Sequence, residues 1–123
     1  MPWNVSAPAA LPIIETRYEG VLAPSELADA VRETLVLARS SGRMLFLGDC
    51  RAMTGGHSVV DLYSLAEVLL SSGMGRGLKE AVVLPSLPES AESVRFWETA
   101  CLNRGLRVRI FLDRESALAW LLE

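Results

Sequence analysis

Four short apolar runs alternate with four amphipathic stretches through most of this chain, and few architectures accommodate that order. The strand-like runs span residues 13–19, 43–48, 81–84 and 108–112; the helix-like stretches span 25–41, 59–72, 89–104 and 115–122. Strand, helix and strand in succession call for crossover connections, and so for a mostly parallel sheet with helices packed on it. Residues 44–47 and 81–84 are continuously apolar, as strands covered on both faces are. Residues 13–19 alternate instead. Ile14, Thr16 and Tyr18 point one way; Glu15, Arg17 and Glu19 point the other, the pattern of an antiparallel or edge strand half exposed to solvent. Residues 3–5 read as a short first strand pairing with it. The expectation is one α/β domain over residues 1–123, with four or five strands and four helices in repeating β-α order.

Punctuation supports these bounds. Pro24 suits the first turn of a helix, where its missing N–H costs nothing. Ser58 with Asp61, and Ser86 with Glu89, have the spacing of capping boxes. Asp113 is placed to cap the last helix, whose Ala117, Leu118, Trp120 and Leu121 are expected to face inward. Gly42 and Gly105 are suitable stops.

The chain of 123 residues is half hydrophobic and 22% charged, which fits a folded core and excludes global disorder. A net charge of −3, with Lys79 the only lysine, argues against nucleic acid. The longest uncharged run, residues 1–14, is too short to cross a bilayer and carries three prolines. The N-terminus has no signal-peptide pattern, and Cys50 and Cys101 are expected to be buried free thiols, which together fit a cytoplasmic location.

Several stretches together resemble the SpoIIAA-like fold, the group that includes STAS (anti-sigma-factor antagonist) domains. They are Tyr18-Glu19-Gly20 leading into the first helix, Leu47-Gly48-Asp49-Cys50-Arg51 leaving the central strand, Ser58 with Asp61, the run 81–85, Asn103-Arg104-Gly105, and Phe111-Leu112-Asp113 before the last helix. The chain is similar to small bacterial single-domain proteins described as STAS/SEC14-like. The resemblance implies strands wound in sequence order. It also implies activity by binding: STAS domains bind partner proteins, some switched by phosphorylation of a serine, and SEC14-like relatives carry hydrophobic ligands. The Asp-Ser switch motif is absent, since Cys50 follows Asp49.

Asp49 is expected at the carboxyl end of a central strand, where open α/β sheets place ligands, with Arg51 beside it; a local ion pair would explain the two equally well. Ser58 and, less so, Thr54 are candidate phospho-acceptors, although a plain N-cap accounts for Ser58. His57, the only histidine, is expected in a solvent-exposed loop; no metal site or cofactor motif accompanies it. Residues 73–77 form a glycine-rich connection in the wrong context for a nucleotide loop. Tyr63 and Phe96 lie off the apolar stripes of their helices, which hints at an interface. Arg104, Arg107 and Arg109 form a small basic group. The favoured reading is a non-enzymatic interaction or regulatory module that forms a homodimer. A carrier of a small hydrophobic, lipid-like ligand would instead need a cavity of roughly 300 Å³ or more. An enzyme would need His57 within reach of Asp49 or another acid.

Overall fold

In the computed structural model, which describes residues 1–74 and 77–123, a five-stranded sheet separates two unequal layers of helix. The elements are β1 (Trp3–Ser6), β2 (Ile13–Gly20), α1 (Pro24–Ser41), β3 (Leu45–Met53), α2 (Val59–Ser71), β4 (Lys79–Val83), α3 (Pro88–Leu102), β5 (Arg107–Phe111) and α4 (Arg114–Leu121). The strands lie side by side in chain order; β1 is antiparallel to β2 and the rest are parallel. A sheet that grows in one direction through right-handed crossovers puts every crossover helix on the same face. So α1, α2 and α3 share one face, over a core that includes Ile14, Phe46, Val82 and Trp97. The last helix, α4, has no strand to return to and covers the other face, over Ile13, Leu47, Ala81 and Val83.

The expected α/β rhythm is present, with corrections that matter for the site. First, β2 does pair antiparallel with β1, as expected, but it is not an edge strand, because β3 lies parallel on its other side. Its alternation is real, but Glu15 is buried because Arg114 at the start of α4 folds over it. Second, β3 does not stop at Gly48. It runs on to Met53, paired with the end of β2, so Asp49 and Cys50 lie within a strand and not in a loop. Arg17 faces Asp49 while Glu19 faces Ala52, so β3 carries one extra residue, a bulge. The bulge resets the alternation and turns Met53 into the larger core.

Third, β4 begins at Lys79. Its ammonium donates to the Trp120 carbonyl at 2.6 Å and lies 4.5 Å from the Trp120 ring, capping the negative end of α4. Fourth, the Ser86–Glu89 box does not form; Leu87 is the N-cap of α3, with no side-chain cap. The caps at Ser58 and Asp113 do form, accepting from the Asp61 and Ser116 amides. Fifth, Ala117 and Leu121 of α4 are buried, but Leu118 and Trp120 are half-buried. The N-terminal segment is pinned by Arg43, which donates to the carbonyls of Pro8, Leu11 and Ile13. Both cysteines are buried and free. The glycine-rich connection includes Gly75 and Arg76, which lie outside the described residues. Among the described residues, no helix is long and apolar enough to cross a membrane.

Candidate functional site

Between the sheet and the three-helix layer lies a chamber of about 80 Å³. Its floor is made by alternate residues of three adjacent strands: Thr16 and Tyr18, then Gly48 and Cys50, then Glu80 and Val82. Its walls are apolar side chains of α1, α2 and α3. Gly48 sits between Phe46 and Cys50 on the same face. A Cβ there would touch Val82 at 3.8 Å, an ordinary contact, so the backbone does not demand glycine. The missing side chain leaves the chamber open.

The polar groups in this apolar setting are few. The Trp97 indole N–H donates to Glu80 Oε1 at 2.8 Å, and the Thr16 and Thr34 hydroxyls are hydrogen-bonded at 2.7 Å. Glu80 is half-buried and lines the chamber. Burial pushes its carboxyl up to about 7, against the opposing effect of the Trp97 bond. Burial, helped by the charge of Glu80, likewise raises the Tyr18 hydroxyl and the Cys50 thiol. Both stay protonated at neutral pH, so Cys50 is not a ready nucleophile.

The chamber is closed near the carboxyl ends of the strands by the loop between β3 and α2. The His57 amide donates to Ser93 Oγ at 3.0 Å, and His57 Nε2 lies 3.2 Å from the Leu22 carbonyl, to which it must donate. Gly56 permits this approach, since a Cβ there would come within 2.9 Å of Ser93 Oγ. His57 is therefore half-buried and tethered, not the solvent-exposed loop residue expected from the sequence.

Asp49 lies on the opposite face, toward α4. It is buried and accepts from Arg51 Nε and Nη2 at 2.9 and 2.7 Å, and from the Arg51 amide at 3.1 Å. These bonds, with Arg17 at 3.7 Å, hold its carboxyl below the usual range. Arg114 clamps Glu15 through two bonds, and Arg17 approaches the same carboxylate at 3.6 Å. Three guanidiniums thus share two buried carboxylates. Asp49 and His57 are separated by the sheet, and the structure does not bring them together.

Ser58 accepts from the Asp61 amide and donates to the Asp61 carboxylate at 2.8 Å, the geometry of a cap. Thr54 is exposed. Tyr63 and Phe96 pack edge-to-face across α2 and α3 at 5.3 Å, with the Arg104 guanidinium 4.7 Å from the Tyr63 ring. Arg104 is also paired with Glu67 at 2.8 Å, so the basic group is not a free cluster; Arg107 and Arg109 extend along β5 instead. Sequence reasoning missed Glu80 and Gly48. The signal for Glu80 was a charged pair, Lys79-Glu80, fused to the apolar run that follows.

No family model and no curated protein matches this chain. Among solved structures, it is similar to an uncharacterized protein from the DUF3478 family with a SpoIIAA-like fold, from Shewanella loihica PV-4. The two superpose with a TM-score of 0.58 over 97% of this chain and 91% of that one, at 16% sequence identity. The chain has a SpoIIAA-like fold: a mostly parallel five-stranded sheet with an antiparallel first strand and four helices. At that identity the likeness concerns the fold alone.

Proposed function

We propose that this protein is a non-enzymatic interaction module of STAS-like type, which docks polypeptide surfaces at the carboxyl edge of its sheet and pairs first with a second copy of itself. The observation that carries this reading is the apolar side chains at that edge. Val21 is 70% exposed and Leu112 79%, each directly following a parallel strand, and Val60, 71% exposed, lies in the first turn of α2, which starts from the same edge. Arg17, Arg51 and Arg114 stand beside this edge, with exposed Glu19, Asp113 and Glu115. A surface carrying apolar residues and both signs of charge can match a second copy of itself across a two-fold axis, which is what an isologous dimer needs. Asp49 serves by orienting Arg51. Tyr63 and Phe96 contribute through the exposed edge of Tyr63. The separation of Asp49 from His57 supports the non-enzymatic side of the reading. A lipid-sized ligand finds less support, because about 80 Å³ is well short of the roughly 300 Å³ that such ligands need.

Sedimentation velocity in the micromolar range tests this. The wild type should sediment as a dimer, and Leu112→Asp and Val21→Asp as monomers with unchanged melting temperatures, since both positions are exposed. A monomeric wild type, or variants that still dimerise, overturns the reading.

A further inference from the structure

We propose that the chamber between the sheet and α1–α3 is a binding site for a small neutral alcohol, its short apolar body against the helices and its single hydroxyl against Glu80 and Tyr18. The inference stands apart from the docking edge. Size sets the first limit: about 80 Å³ is roughly half of a void that holds benzene, so the body is a short chain of carbons. Chemistry sets the second. Glu80 Oε1 is already occupied by the Trp97 N–H. The second carboxyl oxygen and the Tyr18 hydroxyl have no hydrogen-bond partner among the described residues, and both residues line the chamber. A hydroxyl both donates and accepts, so it serves Glu80 in either protonation state as well as Tyr18. Among the described residues no lysine or arginine lines the chamber, and Glu80 repels a second negative charge, so an anion is disfavoured.

Gly48 argues that the space is built rather than left over. An alanine would fit there at ordinary contact distance and fill part of the void. Glycine in a strand interior weakens the strand, and here no backbone strain or close approach requires it. The loop through Gly56 and His57 closes the chamber by contacts to Ser93 and Leu22, which can open and re-form as a ligand enters.

The test is an amide and indole NMR titration of the full chain with ethanol, small enough for a void of about 80 Å³. Shifts should saturate and should centre on the Trp97 indole N–H and the amides of Tyr18, Gly48, Cys50 and Glu80. Gly48→Ala should weaken binding at least tenfold without lowering the melting temperature. Tyr18→Phe, which removes only the hydroxyl, should weaken it severalfold. Acetate, of matched length but anionic, should bind far more weakly than ethanol. Shifts that never saturate or that scatter over the exposed rim overturn the proposal. So does full-strength binding by Gly48→Ala and Tyr18→Phe, or acetate binding as tightly as ethanol.

Discussion

Replacing Glu80 by Gln isolates the cost of a buried carboxylate. The Gln oxygen still accepts from the Trp97 N–H at the position now occupied by Oε1, 2.8 Å away, so the shape and that bond survive while the charge is lost. In the folded protein burial lifts the carboxyl from 4.5 to about 7. Between those values the native state holds a proton that the unfolded chain has released. Stability is therefore greatest below the unfolded value and falls as pH rises through about 7, then levels off. At about 1.4 kcal/mol per pH unit the gap amounts to roughly 3 kcal/mol, trimmed to about 2–3 kcal/mol because the carboxyl keeps some contact with the chamber. Glu80→Gln should remove this slope. Urea unfolding followed by tryptophan fluorescence reads the difference directly, as midpoints at fixed slope. Wild type and variant should nearly coincide at about pH 4, and the variant should lead by about 2–3 kcal/mol at about pH 8. Other titrating groups are common to both proteins and cancel in the difference. Parallel curves across this range would show that Glu80 is hydrated, and the account of the chamber floor would be wrong.

Two further substitutions probe other parts of the fold. Asp49→Ala leaves Arg51 and Arg17 free to turn to solvent but removes charge-assisted bonds, so it should cost about 1–3 kcal/mol by thermal melting. That cost should shrink as pH falls through the carboxylate range, because the native carboxyl is held below its usual value and its stabilisation is lost on protonation; an unchanged melting temperature at neutral pH would refute the structural role. Ser90 is fully buried in α3 and its hydroxyl has no partner among the described residues, so Ser90→Ala should stabilise the protein by about 1 kcal/mol in urea, and a loss of stability would show a bond the geometry does not contain.

The parts of this fold that depend on local pattern were readable from the sequence, and the parts that depend on distant chain were not. The periodicity of α1 and α2, the caps at Ser58 and Asp113, and the shared side of Ile14, Thr16 and Tyr18 are local properties. Each is fixed within a turn of helix or a few strand residues. Glu15 was assigned to the correct face, but that face is covered by a helix 99 residues further on, so outward did not mean exposed. Asp49-Cys50-Arg51 looks like a strand exit by composition. Pairing with Arg17 and Val83 keeps Asp49 in the sheet, and a bulge lets the strand run on beside the end of β2. The chamber was not legible at all. It is the difference between the volume that three helices and three strands enclose and the volume their side chains fill, and one missing side chain at Gly48 contributes to it. Glu80 was hidden for a related reason: an acid at the edge of an apolar run reads as the solvated end of a strand until β4 is known to begin at Lys79.

The sheet edges bear on how two copies would meet. An open edge offers unpaired N–H and C=O groups to a second strand, and assembly through such an edge leads easily to aggregation. Here β5 is guarded. The Ile110 amide, which would otherwise await a partner strand, donates to Glu98 Oε2 at 3.0 Å. Arg107 and Arg109 on the same strand are exposed, and bringing two such strands together would oppose like charges. At the other end β1 is only four residues long, follows Pro2, and is tied to α1 by the Trp3 indole N–H donating to Glu33 at 2.8 Å. Short strands, flanking prolines and edge charges are the usual means of discouraging strand addition. Both edges are thus defended, in keeping with the proposed association through the exposed apolar residues at the carboxyl edge. A dimer formed there should leave the Val108 and Ile110 amides, which face the open edge, exchanging as they do in the Leu112→Asp variant; protection of those amides on dimerisation would place the contact at the β5 edge instead.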